Sequence, residues 1–329
     1  MKPLTILFNT YPVAFDCPGG GEVQLQKYEQ YLTELGVSVL RYDPWNPHPQ
    51  FDVADVVHYF SVQVGSLRFC EHVVYERKLP LVVSTIAWME PEKRQPPWES
   101  GKLLEISTRN LPNSFAERDQ LCSIYGVSPD KFIPIVNGVD EIFFEPISPD
   151  IFRKHFNIYE PFVLCMGNIE RRKNQLSLIK ALKGTGIHLV LAGQDREVEY
   201  AAACRATADE TVHFVSALEH GSELHRSAYS ACDALALPST METPGLAALE
   251  AGAAGVRLVL TEVGCTEEYF KNHACYVNPD DVSGIRDGVL KTLRCPQRNG
   301  IKQIIKNNYT WRIAAKQLIA VYTDLLSIK

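Results

Sequence analysis

Two carboxylates with seven residues between them, Glu242 and Glu250 in the stretch PSTMETPGLAALEAGAAG (238–255), are the most chemically suggestive pair in this 329-residue chain. Glu242 stands in a loop between an apolar run of strand length, ACDALALP, and a segment of Gly, Ala and Leu that reads as a helix. Pro244 suits the first turn of that helix and Gly255 the position just past its end, with VRLVL (256–260) as the next strand. Glu250 is the only charge in the helix, so the helix is expected to be buried on most sides and this carboxylate to need a partner. In a parallel sheet, the loop leaving the carboxyl end of a strand faces the ligand crevice, and a helix N-terminus there attracts anions. Glu242 lies beside that place. A carboxylate repels phosphate, so its expected chemistry is to accept hydrogen bonds from a neutral, hydroxyl-rich part of a ligand.

A second loaded stretch is GNIERRKNQLSLIKAL (167–182), where Arg171, Arg172 and Lys173 follow the apolar run FVLCMG (162–167) and lead into a helix from Asn174. Cations at the carboxyl end of a strand suit phosphate: arginine offers a two-pronged fork to its oxygens, and lysine a compact charge to a leaving oxygen. A solvated basic turn is the plain alternative. The direct passage from strand to helix weighs against it, as does the lack of a metal-ligand cluster in the sequence to neutralise a diphosphate. Glycines 19–21 after LTILFN (4–9) give the order strand, glycine loop, helix of a phosphate cradle, but alone they read equally as a turn. The dinucleotide fingerprint fails, because Gln24 stands where its last glycine is needed.

These stretches need a frame. LTILFN, VSVLRY, DVVHYF and LPLVVST read as strands, with a helix striped by Leu25, Tyr28, Leu32 and Leu35 and ended by Gly36, and a helical candidate at 65–78. After the proline-rich loop EPEKRQPPW (90–98) come a helix over NSFAERDQLCSIYG (113–126) and a strand at FIPIV. The turn-rich NGVDEIFFEPISPD (137–150) marks a domain boundary. Alternation then restarts with FVLCMG, IHLVLAG, TVHFVS and helices from 174, near 196–206 and at 222–232. Beyond the carboxylate stretch lie TEVGCTEEYF, the strand ACYV, a helix at 280–294, and a stripe at Trp311, Ala315, Leu318, Tyr322 and Leu325 that must bury one face. The pattern predicts two α/β domains, each a parallel sheet covered by helices, with a cleft between them.

Composition narrows the classes. Hydrophobic residues make up 46%, ordinary for a full globular core, and 33 Lys and Arg against 39 Asp and Glu (net charge −6) argue against nucleic acid and a broad basic membrane face. The nine cysteines are scattered and never C-x-x-C, which fits a reduced, cytoplasmic chain. His213, His220 and His225 suit surface or capping roles better than zinc. MKPLTILFNTYP is too short and wrongly flanked for a signal peptide, and no run of 18 apolar residues spans a membrane.

The chain resembles the retaining, nucleotide-sugar-dependent glycosyltransferases of the GT-B fold, family 4, from end to end. The matching parts are PGG before the first helix, NSF, NGVDEIFFEP, GNIERRKNQ, VHFV, LPSTMETPGLAALEAGAAG, VGCTEE and a terminal TW-containing helix. The resemblance implies two Rossmann-like domains, 1–145 plus 308–329 on the acceptor side and 150–307 on the donor side, with the last helix crossing back to the first domain. It implies that Arg172 and Lys173 hold the donor diphosphate and stabilise the leaving charge without a metal or other cofactor, the nucleotide sugar being a co-substrate. Glu242 would bond the transferred sugar and Glu250 the ribose hydroxyls. Thr243, Pro244, Gly245 and Leu246 would offer backbone N–H groups, Asn168 would line the donor site, and Gly19 and Gly20 would let first-domain backbone approach the phosphate. The implied acceptor is a glycan or glycolipid, in glycan or lipid-linked polysaccharide assembly, and contact with the inner face of a membrane is left open.

Two positions depart from that family's pattern. Asn168 stands where an arginine is usual, and Ala87 in STIAW stands where a histidine is usual. They raise the alternative of a catalytically weak or silent relative that serves as a nucleotide-binding or partner subunit. A glycosidase pair is the weaker reading of Glu242 and Glu250, because such carboxylates flank a scissile bond and Glu250 falls in the second turn of a buried helix. A nicotinamide-dependent oxidoreductase is disfavoured by the failed glycine fingerprint.

Overall fold

A computed structural model describes residues 3–16, 18–62, 65–89, 95–295 and 300–327; Cys17 and residues 90–94 of the proline-rich loop lie outside them. The chain forms two compact units, Met1–Gly138 with Trp311–Lys329, and Val139–Thr310. In the first, β1 (Thr5–Thr10), β2 (Ser38–Arg41), β3 (Val56–Phe60), β4 (Leu81–Ser84) and β5 (Arg109–Leu111) make a parallel sheet ordered β2-β1-β3-β4-β5. The continuous apolar runs of β1, β3 and β4 are buried throughout or nearly so, as expected of strands covered on both faces.

The helix Trp311–Ser327 belongs to this unit, and its predicted stripe is buried, with Trp311, Ala315, Leu318 and Tyr322 at 1% exposure or less. It packs on the helix Gly20–Glu34, Trp311 meeting Tyr28 edge-on at 5.8 Å. Tyr322 Oη lies 2.6 Å from Nδ1 of the fully buried His58, whose Nε2 lies 2.9 Å from Ser84 Oγ, so one imidazole ties two strands to the returning helix. Burial pushes His58 down to about 3, which keeps the ring neutral at ordinary pH.

In the second unit, β6 (Phe162–Met166), β7 (His188–Ala192), β8 (Val212–Val215), β9 (Ala234–Leu237), β10 (Arg257–Thr261) and β11 (Ala274–Val277) pair in parallel in the order β11-β10-β9-β6-β7-β8. That is the doubly wound dinucleotide-fold order. Residues 139–145 and 308–310 go with this unit because Val139 donates to the Tyr309 carbonyl at 3.0 Å, Lys302 Nζ bonds the Phe144 carbonyl at 2.7 Å, and Phe143 is buried.

Three local expectations are corrected. FIPIV is not a full strand: Ile133 and Ile135 donate to the Asn110 and Pro112 carbonyls along the edge of β5, but the pairing amounts to an isolated bridge at Phe132. The region 65–78 is two pieces, Leu67–Glu71 and a wider π-type turn His72–Glu76. Pro244 precedes the helix Leu246–Ala254 instead of opening it, and its bond to Thr243 is cis.

Candidate functional site

β6 and β9 are neighbours, yet the chain continues from β6 to β7 on one side and from β9 to β10 on the other. The loops leaving their carboxyl ends therefore diverge and leave a crevice, the place where doubly wound sheets hold ligands. GNIERRK follows β6 and PSTMETPG follows β9, so topology alone brings the two sequence stretches to one spot.

The first loop is tightly built. Gly167 takes φ +144°, and Arg171–Lys173 form a single 3-10 turn ended by Asn174 at φ +56°. Asn174 Nδ2 donates to the carbonyls of Pro238 (2.9 Å) and Pro279 (2.8 Å), and Thr240 N–H donates to the Arg172 carbonyl at 2.8 Å, which pins this turn to the end of β9. Gln175 Nε2 donates to the Asn168 carbonyl at 2.8 Å. Facing the turn, Glu242 is 3% exposed, and its backbone pairs with Val263 and Cys265. Gly264, at φ +107°, admits this pairing: a Cβ there would come within 2.1 Å of the Glu242 carbonyl oxygen.

Lys173 Nζ donates to Glu242 Oε1 at 2.6 Å, Ser239 Oγ donates to the same oxygen at 2.7 Å, and Arg172 Nη1 lies 3.8 Å from Oε2. Burial pushes the Glu242 carboxyl up, but the Lys173 and Arg172 charges outweigh it and hold it below the ordinary carboxylate value. Arg171 is turned away: it is exposed, pairs with Glu197 at 3.3 Å and lies over the Tyr200 ring at 5.7 Å. Of the two neighbouring arginines it is Arg172 that approaches Glu242.

The helix Leu246–Ala254 starts four residues beyond Glu242. Its N-cap, Gly245 at φ +88°, supplies no side-chain cap; Ala248 N–H donates to the Gly245 carbonyl at 3.0 Å, which leaves the N–H groups of Leu246 and Ala247 at the open end of the helix. Pro244 has no N–H to offer, which removes it from the predicted backbone donors Thr243 to Leu246. One turn further along, Glu250 is 6% exposed: His220 Nε2 lies 2.8 Å from Oε1, Tyr229 Oη donates to Oε2 at 2.7 Å, and His225 Nε2 is 3.6 Å away. Burial raises the Glu250 carboxyl, and the His220 hydrogen bond, the histidine charges and Tyr229 together hold it low. Burial lowers His225 despite Glu250 beside it, and burial and Glu250 raise Tyr229 well above its ordinary value. The partner that Glu250 needs is thus a trio. His220 and His225 were given surface or capping roles by sequence; Gly221 N–H does bond His225 Nδ1 at 3.1 Å, but their main partner is Glu250.

In the first unit, Gly19 is the N-cap of Gly20–Glu34, and its N–H donates to Glu22 Oε2 at 2.6 Å, a self-capped helix start. Ala87 N–H donates to the fully buried Glu117 at 2.9 Å. Among the described residues no group of three His, Cys, Asp or Glu could hold a metal, the eight described cysteines are free thiols, and no helix is long and apolar enough to cross a membrane.

The two parallel-sheet Rossmann-like units, the helix that returns to the first, and a cation-carboxylate crevice at the switch point of the second define a GT-B protein. Sucrose-phosphate synthase from Thermosynechococcus elongatus superposes with a TM-score of 0.83 over 100% of both chains at 17% identity. HepE of Anabaena, solved in complex with UDP and glucose, does so with 0.76 over 98% of this chain and 100% of its own, also at 17% identity. Residues 148–311 match the family described as "Glycosyl transferases group 1". An uncharacterized glycosyltransferase of Methanocaldococcus jannaschii is 27% identical over 62% of this chain and 57% of its own length. D-inositol 3-phosphate glycosyltransferase 1 of Catenulispora acidiphila is 26% identical over 65% and 56%. The chain thus spans little more than half the length of these curated relatives.

Proposed function

We propose that the protein transfers a sugar from a nucleoside diphosphate-sugar to a hydroxyl of a glycan or glycolipid acceptor, with retention of anomeric configuration and without a resident metal. The observation that carries this is the meeting of Arg172 and Lys173 with Glu242 at the β6/β9 switch point, beside an uncapped helix N-terminus. In this reading the diphosphate takes the cations and the helix N–H groups, which stabilise charge on the leaving phosphate as the glycosidic bond breaks. Glu242, released from Lys173, accepts hydroxyl hydrogens of the transferred sugar. Glu250 bonds the ribose hydroxyls from a carboxylate already oriented by His220 and Tyr229. Asn168 in place of the arginine of the resembled family favours a second reading, a weak or silent relative that retains nucleotide binding.

Thermal unfolding of the protein with UDP, GDP, ADP and dTDP tests the site, since a ligand of the folded state alone raises stability with the logarithm of its concentration. A shift with one base, together with slow release of that nucleotide from its sugar conjugate, is expected. Lys173→Ala should abolish the release. Binding without any release supports the silent relative, and no binding to any of the four removes the donor-site assignment.

A further inference from the structure

The carboxyl ends of β6 and β7 hold a carboxylate that this chemistry does not use. Glu170 is only 5% exposed, yet two guanidiniums flank it, Arg172 Nη2 at 2.8 Å from Oε1 and Arg196 Nη1 at 3.4 Å from Oε2. Its base is firm: Ile169 N–H donates to the Gln194 carbonyl at 2.7 Å, and the N–H groups of Arg196 and Glu197 donate to the Ile169 carbonyl, both at 3.2 Å. The Arg172 contact is short but out of line, for Glu170 Oε1 accepts no hydrogen bond of proper angle, and 3.8 Å to Glu242 is too long for one. Among the described residues, Arg172 is therefore held between two buried carboxylates by charge, with its planar N–H fork directed at neither.

We propose that Glu170 is a positioning residue that anchors Arg172 so that its N–H fork is presented to the donor phosphate, and that keeps it there when Glu242 exchanges its cations for sugar hydroxyls. The inference rests on the donor-site reading above. Asn168 cannot supply charge at this strand end, so the task falls to Arg172, a long, part-exposed side chain that without an anchor would sample many rotamers. Two carboxylates among three cations, Arg172, Lys173 and Arg196, leave the crevice one positive charge in excess, ready for an anion.

Removing the Glu170 charge has two opposed effects. It takes a negative charge away from an incoming diphosphate, which favours binding, and it frees Arg172, which weakens stabilisation of the leaving group. A residue that merely holds the fold would not separate the two. The experiment measures nucleoside diphosphate release from UDP-glucose, GDP-mannose, ADP-glucose and dTDP-glucose by the full chain, and by its Glu170→Gln, Glu170→Asp, Arg172→Ala and Glu170→Gln/Arg172→Ala variants. With the donor that works, Glu170→Gln should keep its melting temperature and an equal or lower KM while kcat falls about tenfold. Glu170→Asp should recover part of the loss, and in the Arg172→Ala background the Gln change should alter kcat by no more than about twofold. An unchanged kcat, the same fall without Arg172, or a raised KM tracking lost stability would overturn the role of Glu170 alone. A parent that releases nothing from any of the four donors overturns the transfer activity proposed above and this inference with it.

Discussion

Glu242 and Glu250 lie on one short loop and helix, and both are buried carboxylates held below their ordinary pKa, yet their surroundings differ in kind. Glu242 faces the ammonium of Lys173 and the guanidinium of Arg172. Glu250 faces two imidazoles and a phenol, groups that donate hydrogen bonds, and burial lowers one of those imidazoles, His225. The first arrangement is a charge balance that an anionic ligand must disturb. The second is an orienting shell that a ligand need not break to share the carboxylate.

The largest effect should come from upsetting the charge balance. Lys173→Ala leaves Glu242 buried with its shortest partner gone, so a loss of about 3 kcal/mol or more is expected in urea unfolding, with donor turnover abolished. A stability change below about 1 kcal/mol would mean that Arg172 and Ser239 suffice for Glu242.

The next concerns pH. His225 is held neutral below its unfolded pKa, so the unfolded chain takes up that proton first; the contribution is full above about pH 6.5 and is lost as pH falls towards the folded value. The depressed carboxyls of Glu242 and Glu250 act the same way but only below about pH 4.3, where unfolded carboxylates protonate. Stability lost between pH 7 and 5 should therefore be smaller in His225→Gln than in the parent, measured by urea unfolding at each pH. His58 acts with the same sign and stays in both proteins as a common background. Equal slopes would refute the neutral His225.

Glu250→Gln keeps the shape and loses the charge. It should cost about 1 kcal/mol of stability and weaken binding of the working nucleotide about tenfold by calorimetry, without the collapse expected of Lys173→Ala. An unchanged nucleotide affinity would deny Glu250 a binding role. Smallest of all, Arg171→Ala removes an exposed pair and should change stability by less than about 0.5 kcal/mol and turnover by less than about twofold, while Arg172→Ala cuts turnover strongly. Comparable losses from the two would erase the distinction drawn between neighbouring arginines.

Much of this frame was readable in the residues because it rests on local signals. Strand-length apolar runs placed nearly all the long strands, Gly255 ends its helix at φ +88°, and the Ser114 and Gly126 caps bound the helix Phe115–Tyr125 as expected. β5 escaped because three residues leave no period to read, and His48–Val53 because a one-and-a-half-turn helix with proline in its first turn resembles a loop. FIPIV misled because its composition is strand-like while its pairing with β5 amounts to an isolated bridge. In the site, Arg172, Lys173 and Glu242 were legible from their places after two strands. The partners of Glu250 were not, for Tyr229 and His220 stand 21 and 30 residues upstream, and only the fold brings them to it. Glu170 was hidden in plain view among the cations of its own loop, since sequence does not tell a buried acid from a solvated one.

The returning helix Trp311–Ser327 makes the second unit an insertion within the first. During synthesis, all of Val139–Thr310 is made before the residues that cover Tyr28 and meet His58 exist as peptide. The unit that starts first is therefore completed last, and its apolar face waits uncovered through the making of the whole second unit. Chains interrupted at the end of the second unit, just before residue 311, should carry a foldable second unit on an open first one, a state that chaperones and proteases recognise by exposed hydrophobic surface.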